Sequence, residues 1–239
     1  MLRRFRGVLI DLWGTLIYPS ISIERYRDIR SKCLFDVLRN YGYDFDLNVV
    51  RESLVRARKI WDNIRYNSLR EIRVEMEVVL LLSFLGVSDI EFKLVDDLVK
   101  AYMYPYINYV SLIEGAKEFL EMIHDKGFNT CLVSNTMDGI ASRIVLDKLG
   151  ISRYIKNYVF SDEVGWRKPH RRIFLEALMK LKLSPGHVVM IGDEKCDIEG
   201  AKRHGIFSIH FARYSKVKLD SDYNTTNYRD LIRFFDEMT

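Results

Sequence analysis

Gly7-Val8-Leu9-Ile10-Asp11-Leu12-Trp13-Gly14-Thr15-Leu16 is the stretch that decides the architecture. Four consecutive apolar residues without alternation read as a strand buried on both faces, the form strands take in parallel sheets. Asp11 cuts the run, and Gly14 supplies a turn just beyond it. Four more short apolar runs follow at residues 129–133, 158–160, 188–191 and 206–211. Helical spacing of apolar residues separates them, at 116–126, 140–149, 173–181 and 197–204, the last ending at Gly205. Strand–helix alternation of this kind predicts an α/β fold, a Rossmann-like parallel sheet with helices on both faces.

The segment after the first strand has a different texture. Amphipathic helical patterns cover 23–41, 47–65, 69–85 and 90–103, with Gly42, Gly86 and Pro105 as punctuation. The sequence therefore predicts an inserted all-helical domain over residues 17–107. The core would comprise residues 1–16 and 108–239, its sheet resuming at about Ile113. The tyrosine-rich stretch 102–106 is expected to pack at the hinge between the two.

The chain has 239 residues, 48% of them hydrophobic and 29% charged, enough for one ordinary core and a small second module. A net charge of +4 spread along the chain gives no basic face, so no nucleic-acid partner is called for. The three cysteines are far apart and unpaired in spacing, which fits a reducing compartment. No apolar run approaches membrane-spanning length, and Asp11 breaks the only stretch resembling a signal peptide core. A cytoplasmic protein with no membrane partner, monomer or homodimer, is expected. Glutamine is absent while Lys, Arg and Glu abound, the compositional direction of thermophilic proteins.

Open parallel sheets bind ligands at the carboxyl ends of their strands. After the predicted strands come Asp11, then Ser134-Asn135-Thr136, then a loop ending Arg167-Lys168-Pro169, then Gly192-Asp193-Glu194-Lys195-Cys196-Asp197. A carboxylate, a hydroxyl, an ammonium and an acidic cluster thus converge on one rim. Singly, each has a bland reading. Asp11 could be a turn residue, Ser134 a helix start, Lys168 a solvated loop residue and Asp197 an N-cap. Their shared strand-end position favours chemistry. A carboxylate can attack phosphorus, splitting phosphoryl transfer into two easier steps. Mg²⁺ held by Asp11, Asp193 and Asp197 would offset the repulsion between attacker and phosphate. Lys168 and Ser134, with backbone N–H groups of Trp13 and Asn135, would hold the non-bridging oxygens. Cys196 and the scattered histidines suggest packing roles rather than a zinc site.

The chain resembles the haloacid dehalogenase superfamily. The first motif matches Asp11 through Leu16, the second Val133-Ser134-Asn135, the third Lys168-Pro169 with Ile173-Phe174, and the fourth Gly192-Asp193 through Asp197. The resemblance implies a helical cap closing over the site, Asp11 as nucleophile, and Lys168 as its catalytic partner. It also implies phosphate contacts at Thr15, Ser134, Asn135 and Lys168, and Mg²⁺ on Asp11, Asp193, Asp197 and the backbone carbonyl of Trp13. The expected reaction is Mg²⁺-dependent hydrolysis of a small phosphorylated metabolite through an aspartyl-phosphate.

One position departs from that pattern. Family phosphatases carry a second aspartate two residues after the nucleophile, which protonates the leaving alcohol and then activates water. Here Trp13 stands there, and indole exchanges no proton at working pH. Losing such a device costs roughly 10²–10⁴-fold in rate. A leaving group needing little protonation, a group such as Glu24, Tyr26 or an arginine of Arg25, Arg27 and Arg30, or Glu194 as base are the candidate substitutes. Two alternatives follow from Trp13. One is a 2-haloacid dehalogenase, whose family members carry an aromatic residue at this position; the other is a catalytically weak binding protein.

Overall fold

The computed structural model describes residues 5–214 and 217–238. β1 (Gly7–Ile10) leads into β2 (Ile17–Pro19) and four helices, α1 (Ile23–Asn40), α2 (Leu47–Ser68), α3 (Val74–Phe84) and α4 (Phe92–Asn108). The chain continues through β3 (Val110–Leu112), α5 (Ala116–Asp125), β4 (Asn129–Ser134), α6 (Gly139–Lys148), β5 (Asn157–Phe160) and α7 (Ser161–Val164). It ends with α8 (Arg171–Leu181), β6 (Val188–Gly192), α9 (Lys195–Arg203), β7 (Phe207–Phe211), β8 (Tyr223–Thr225) and α10 (Tyr228–Glu237).

Six strands form one parallel sheet in the order β5-β4-β1-β6-β7-β8, the predicted α/β class. β1 is central, and all four of its residues are buried. Its side chains divide by pleat. Val8 and Ile10 join the cluster containing Phe119, Val145 and Tyr228, while Leu9 joins the one containing Ile173, Phe174 and Ala201. Helices therefore cover both faces, which is why the strand lacks polar alternation. Truncating such a side chain, Ile10→Ala for example, costs about 2–5 kcal/mol.

Three features differ from the sequence reading. β2 and β3 pair antiparallel as a separate two-stranded ribbon, with Ile17 opposite Leu112 and Pro19 opposite Val110. Hence a strand lies inside the segment expected to be all helix, and the main sheet resumes at Asn129 rather than near Ile113. Runs of three residues are too short to show a period. Second, α4 passes through Pro105 to Asn108, so that proline does not end the helix. Third, β8 and α10 complete the sheet edge beyond β7.

α1–α4 pack on one another, and their buried Leu34, Leu54, Val78 and Leu98 belong to the same apolar cluster as the β1 face. Among the described residues no helix is long and apolar enough to cross a membrane.

Candidate active site

β1, β4 and β6 lie side by side in the sheet, so the residues after them meet at its carboxyl edge. The backbone after β1 turns sharply: Leu16 N and Ile17 N both donate to Leu12 O, at 2.9 and 3.0 Å. Gly14 makes this turn with φ +81°, and a Cβ there would stand 2.1 Å from Asp193 Oδ2. Only glycine satisfies both demands. At Gly192 a Cβ would lie 2.3 Å from Asp197 Cγ. The two glycines thus let two acidic side chains close on Asp11.

Asp11, Asp193 and Asp197 offer carboxylate oxygens that all lie within 4.8 Å of one another. Lys168, 3% exposed, reaches into the group. Its Nζ is 2.5 Å from Asp11 Oδ1, 2.8 Å from Val133 O and 2.7 Å from Asp197 Oδ1. The contact to Asp197 is an ion pair rather than an aligned hydrogen bond, since that oxygen has no hydrogen-bond partner. Asn135 sets the lysine: Lys168 N donates to its Oδ1 at 2.7 Å, and its Nδ2 donates to Lys168 O at 3.3 Å.

The electrostatics follow from burial and a surplus of negative charge. One ammonium faces three carboxylates. The carboxylate oxygens lie no more than 4.8 Å apart, and at that outer distance two full like charges repel by about 3–4 kcal/mol at an effective dielectric of about 20. Asp11 is pushed up to about 7, by burial first and by Asp197 and Glu194, with Lys168 opposing. Burial, then Asp11 and Asp197, push Asp193 up to about 8. Asp197 is raised as well, again mainly by burial. Burial works against the Lys168 ammonium, yet Asp11 and Asp197 more than offset it and hold the lysine charged. The donor set is all oxygen, carries excess negative charge and is partly open at Asp193. Those properties fit a hard divalent cation such as Mg²⁺.

The other expected site residues divide by what they touch. Ser134, 3% exposed, lines a cavity of about 380 Å³ beside Trp13. Thr15 is fully buried, with its hydroxyl 3.5 Å from Asp193 Oδ1 and its carbonyl accepting from Tyr228 Oη at 2.6 Å. It faces the acidic cluster rather than open space. Asp197 sits at the third position of α9, not at its N-cap. Glu194 is the cap, and its N–H donates to Asp197 Oδ2 at 3.1 Å. The helix thus begins at Lys195, two residues before the sequence pattern suggested. Asp138 caps α6, accepting from Ala141 N at 2.9 Å, so Ser134 is not a helix-start residue.

Trp13 is half-buried among aromatic rings. Ring centroids lie 5.9 Å away for Tyr26, 6.0 Å for Tyr106 and 6.1 Å for Tyr18. Its indole lines both the 380 Å³ cavity and a larger one of about 890 Å³ that exposes Lys168, Asp193 and Glu194. Sequence reasoning missed Tyr228, Glu71, Arg58 and the burial of Arg30. Arg58 and Arg65, seven apart on one helix, together with Arg27 and Arg30 on the preceding one, were the available sequence signal for a cationic face.

Known proteins bear on this site. The family described as haloacid dehalogenase-like hydrolase matches residues 5–205. Phosphoglycolate phosphatase of Aquifex aeolicus is 28% identical over 236 residues, 97% of this chain and 97% of its own. Glyceraldehyde 3-phosphate phosphatase of Methanopyrus kandleri is 32% identical over 211 residues, 87% of this chain and 84% of its own. The crystal structure of 2-haloacid dehalogenase from Pseudomonas syringae superposes with a TM-score of 0.74 at 19% identity, covering 98% of this chain and 100% of that one. That likeness concerns the fold alone. With the four motifs in order and the family matched from Phe5 to Gly205, this chain belongs to the haloacid dehalogenase-like hydrolases and is a hydrolase.

Proposed function

We propose that the protein is a Mg²⁺-dependent phosphatase acting on a small phosphate monoester through an aspartyl-phosphate on Asp11. The observation that carries this reading is the 2.5 Å pair between Lys168 Nζ and Asp11 Oδ1 beside the all-oxygen cluster completed by Asp193. A haloalkanoate carries a single carboxylate and a neutral carbon–halogen bond, so its displacement needs no cluster of three carboxylates. A phosphate dianion approaching Asp11 does require added positive charge. The phosphatase names of two relatives that span most of this chain support the same choice.

In this scheme an Asp11 oxygen attacks phosphorus and the ester oxygen leaves with the bonding pair. Water then attacks the aspartyl-phosphate, releasing inorganic phosphate and restoring the carboxylate. Lys168, with the Ser134 hydroxyl and the Asn135 backbone N–H, holds the non-bridging oxygens. Asp11, Asp193 and the Trp13 carbonyl would hold the cation, which supplies charge neutralisation when bound. Asp197 keeps Lys168 aimed, since its two oxygens already face Lys168 and Glu194 N. Thr15 props Asp193, and the Asn135 side chain holds the lysine backbone. Residues 17–107 serve as a lid that excludes water from the cluster.

Trp13 moves no proton, so the leaving oxygen takes its proton from water or from a neighbour such as Tyr26 or Glu194, which line the cavities beside Trp13, or it leaves as a stable anion. Aryl and acyl phosphates therefore suit this site better than alkyl phosphates. The test is p-nitrophenyl phosphate turnover with Mg²⁺ and with EDTA, in the parent protein and in Asp11→Asn. Mg²⁺-dependent release that drops by at least about 10³-fold in the variant is the expected result. The aromatic surround of Trp13 favours one second reading, halide displacement. Metal-independent chloride release from 2-chloropropionate would establish that reading and sink the phosphatase. Clean protein with neither activity would leave a binding protein.

A further inference from the structure

The 380 Å³ cavity beside Trp13 is lined by five arginines, Arg27, Arg30, Arg58, Arg65 and Arg167, against a single carboxylate, Asp62. Two of these are neutralised by the protein. Arg65 is held by Asp62, Glu71 and Glu77 at 3.0, 3.2 and 2.5 Å, and Arg167 by Glu71 at 2.5 Å. The other three make no ion pair with any described residue. Arg30 is the most telling, at 6% exposed. Its Nε donates to Tyr102 O at 3.0 Å and its Nη2 to Tyr26 Oη at 3.2 Å, both neutral acceptors. Its guanidinium carbon lies 4.3 Å from the Tyr102 ring centroid and 5.0 Å from that of Tyr26. Among the described residues, two of its five N–H donors have acceptors and no carboxylate pairs with the charge. Arg58, half-buried, makes no hydrogen bond with a described residue. Its acidic neighbours Asp62 and Glu77 are already committed to Arg65.

A buried guanidinium without a counter-charge is costly, and an anionic ligand in the cavity would offset that cost. The cavity is small and shares a wall with the cleft exposing Lys168 and Asp193, formed by Trp13, Arg65, Tyr66, Asn135 and Arg167. A polymer does not fit there; the remote end of a small substrate does. Ser134 and Asn135 line the same cavity, so one molecule can touch the phosphate-holding groups and the arginines together.

We propose that Arg30 and Arg58, assisted by Arg27, form a subsite for a second anionic group on the substrate, a carboxylate or a second phosphate. The inference rests on the phosphatase reading for the first phosphate. It makes the substrate a phosphorylated acid or a bisphosphate rather than a neutral phosphorylated alcohol or sugar. Arg guanidinium presents paired donors that match either anion.

The test is calorimetric binding with Mg²⁺ to the Asp11→Asn protein, which removes turnover from the measurement. Two matched pairs of probes separate the anions: 3-phosphoglycerate against glycerol 3-phosphate, and fructose 1,6-bisphosphate against fructose 6-phosphate. Preference for the doubly anionic member of one pair should be about tenfold or more. It should shrink to less than about threefold in Arg58→Gln. Arg27→Gln, on an exposed position that the fold does not need, should show a smaller loss in the same direction. No preference in either pair, or a preference unchanged by both substitutions, overturns the subsite. If the preference holds while the parent protein releases no phosphate, the subsite stands and the phosphatase reading alone falls.

Discussion

Glu71 Oε2 accepts a hydrogen bond from Arg167 Nη1 at 2.5 Å, and Arg167 is the residue before Lys168. The carboxylate is fully buried between α2 and α3, also receiving Arg65 Nε at 3.2 Å and the Ser161 hydroxyl. Around it, Glu71 N donates to Gly165 O at 3.2 Å and Arg167 N to Leu69 O at 2.8 Å. Arg70 lies 3.7 Å over the Trp166 ring. The helical segment thus grips the loop that delivers the lysine, so its seating and the site are mechanically joined.

Glu71→Ala should therefore lower stability by about 3 kcal/mol, because it leaves buried guanidinium groups short of a partner. It should also reduce kcat by loosening Lys168. Thermal denaturation and steady-state kinetics check both; unchanged Tm and kcat would show that the grip does not matter.

The acidic cluster gives a pH dependence of definite sign. Asp11 and Asp193 titrate near 7 and 8 in the folded protein, above the usual aspartate value, chiefly through burial. A raised carboxyl pKa means the folded state binds protons more tightly than the unfolded one. That contribution to stability is present below pH about 4 and is lost as pH rises through about 8. Metal-free protein should thus melt at a lower temperature at pH 8.5 than at pH 5.5, leaving aside groups elsewhere. Mg²⁺ should raise Tm more at pH 8.5, where the carboxylates are charged. Scanning calorimetry in EDTA and in Mg²⁺ decides it, and a Mg²⁺ shift that is larger at pH 5.5 contradicts the assignment.

Trp13→Asp restores a group able to move protons two residues after Asp11. For alkyl phosphates kcat should rise by at least about tenfold, a fraction of the full value of a general acid. Aryl phosphates, with good leaving groups, should gain less. The same substitution removes an indole packed against Tyr26 and Tyr106, so Tm should fall. No rise in kcat on alkyl phosphates would mean that proton transfer does not limit turnover.

Tyr228, from α10, reaches back to donate to Thr15 O at 2.6 Å across a fully buried contact. Tyr228→Phe should cost about 1–3 kcal/mol by stranding that carbonyl. Because Thr15 abuts Asp193, the variant should also bind Mg²⁺ more weakly, measurable by titration calorimetry. Wild-type Mg²⁺ affinity in a destabilised variant would limit Tyr228 to a structural role.

Much of this protein was legible in one dimension because its signals are local. Gly7–Ile10 lacks alternation because both faces of β1 are covered, and Asp11 and Asp193 each directly follow a strand while Ser134 ends one. A parallel sheet then brings all such positions to one edge. What the sequence could not determine is who meets whom across that edge. Lys168, in the loop after β5 and α7, reaches Asp11 over 157 positions because the sheet order β5-β4-β1 places that loop two strands away, and strand order is not written in any window of residues. Asn135 and Thr15 carry polar groups that suit a phosphate equally well, and only packing turns one toward the Lys168 backbone and the other toward Asp193. Arg30 and Arg65 look alike on amphipathic helices. Among the described residues the tertiary structure gives Arg65 three carboxylates and Arg30 none, because burial and counter-charge are properties of the assembled interior, not of the chain.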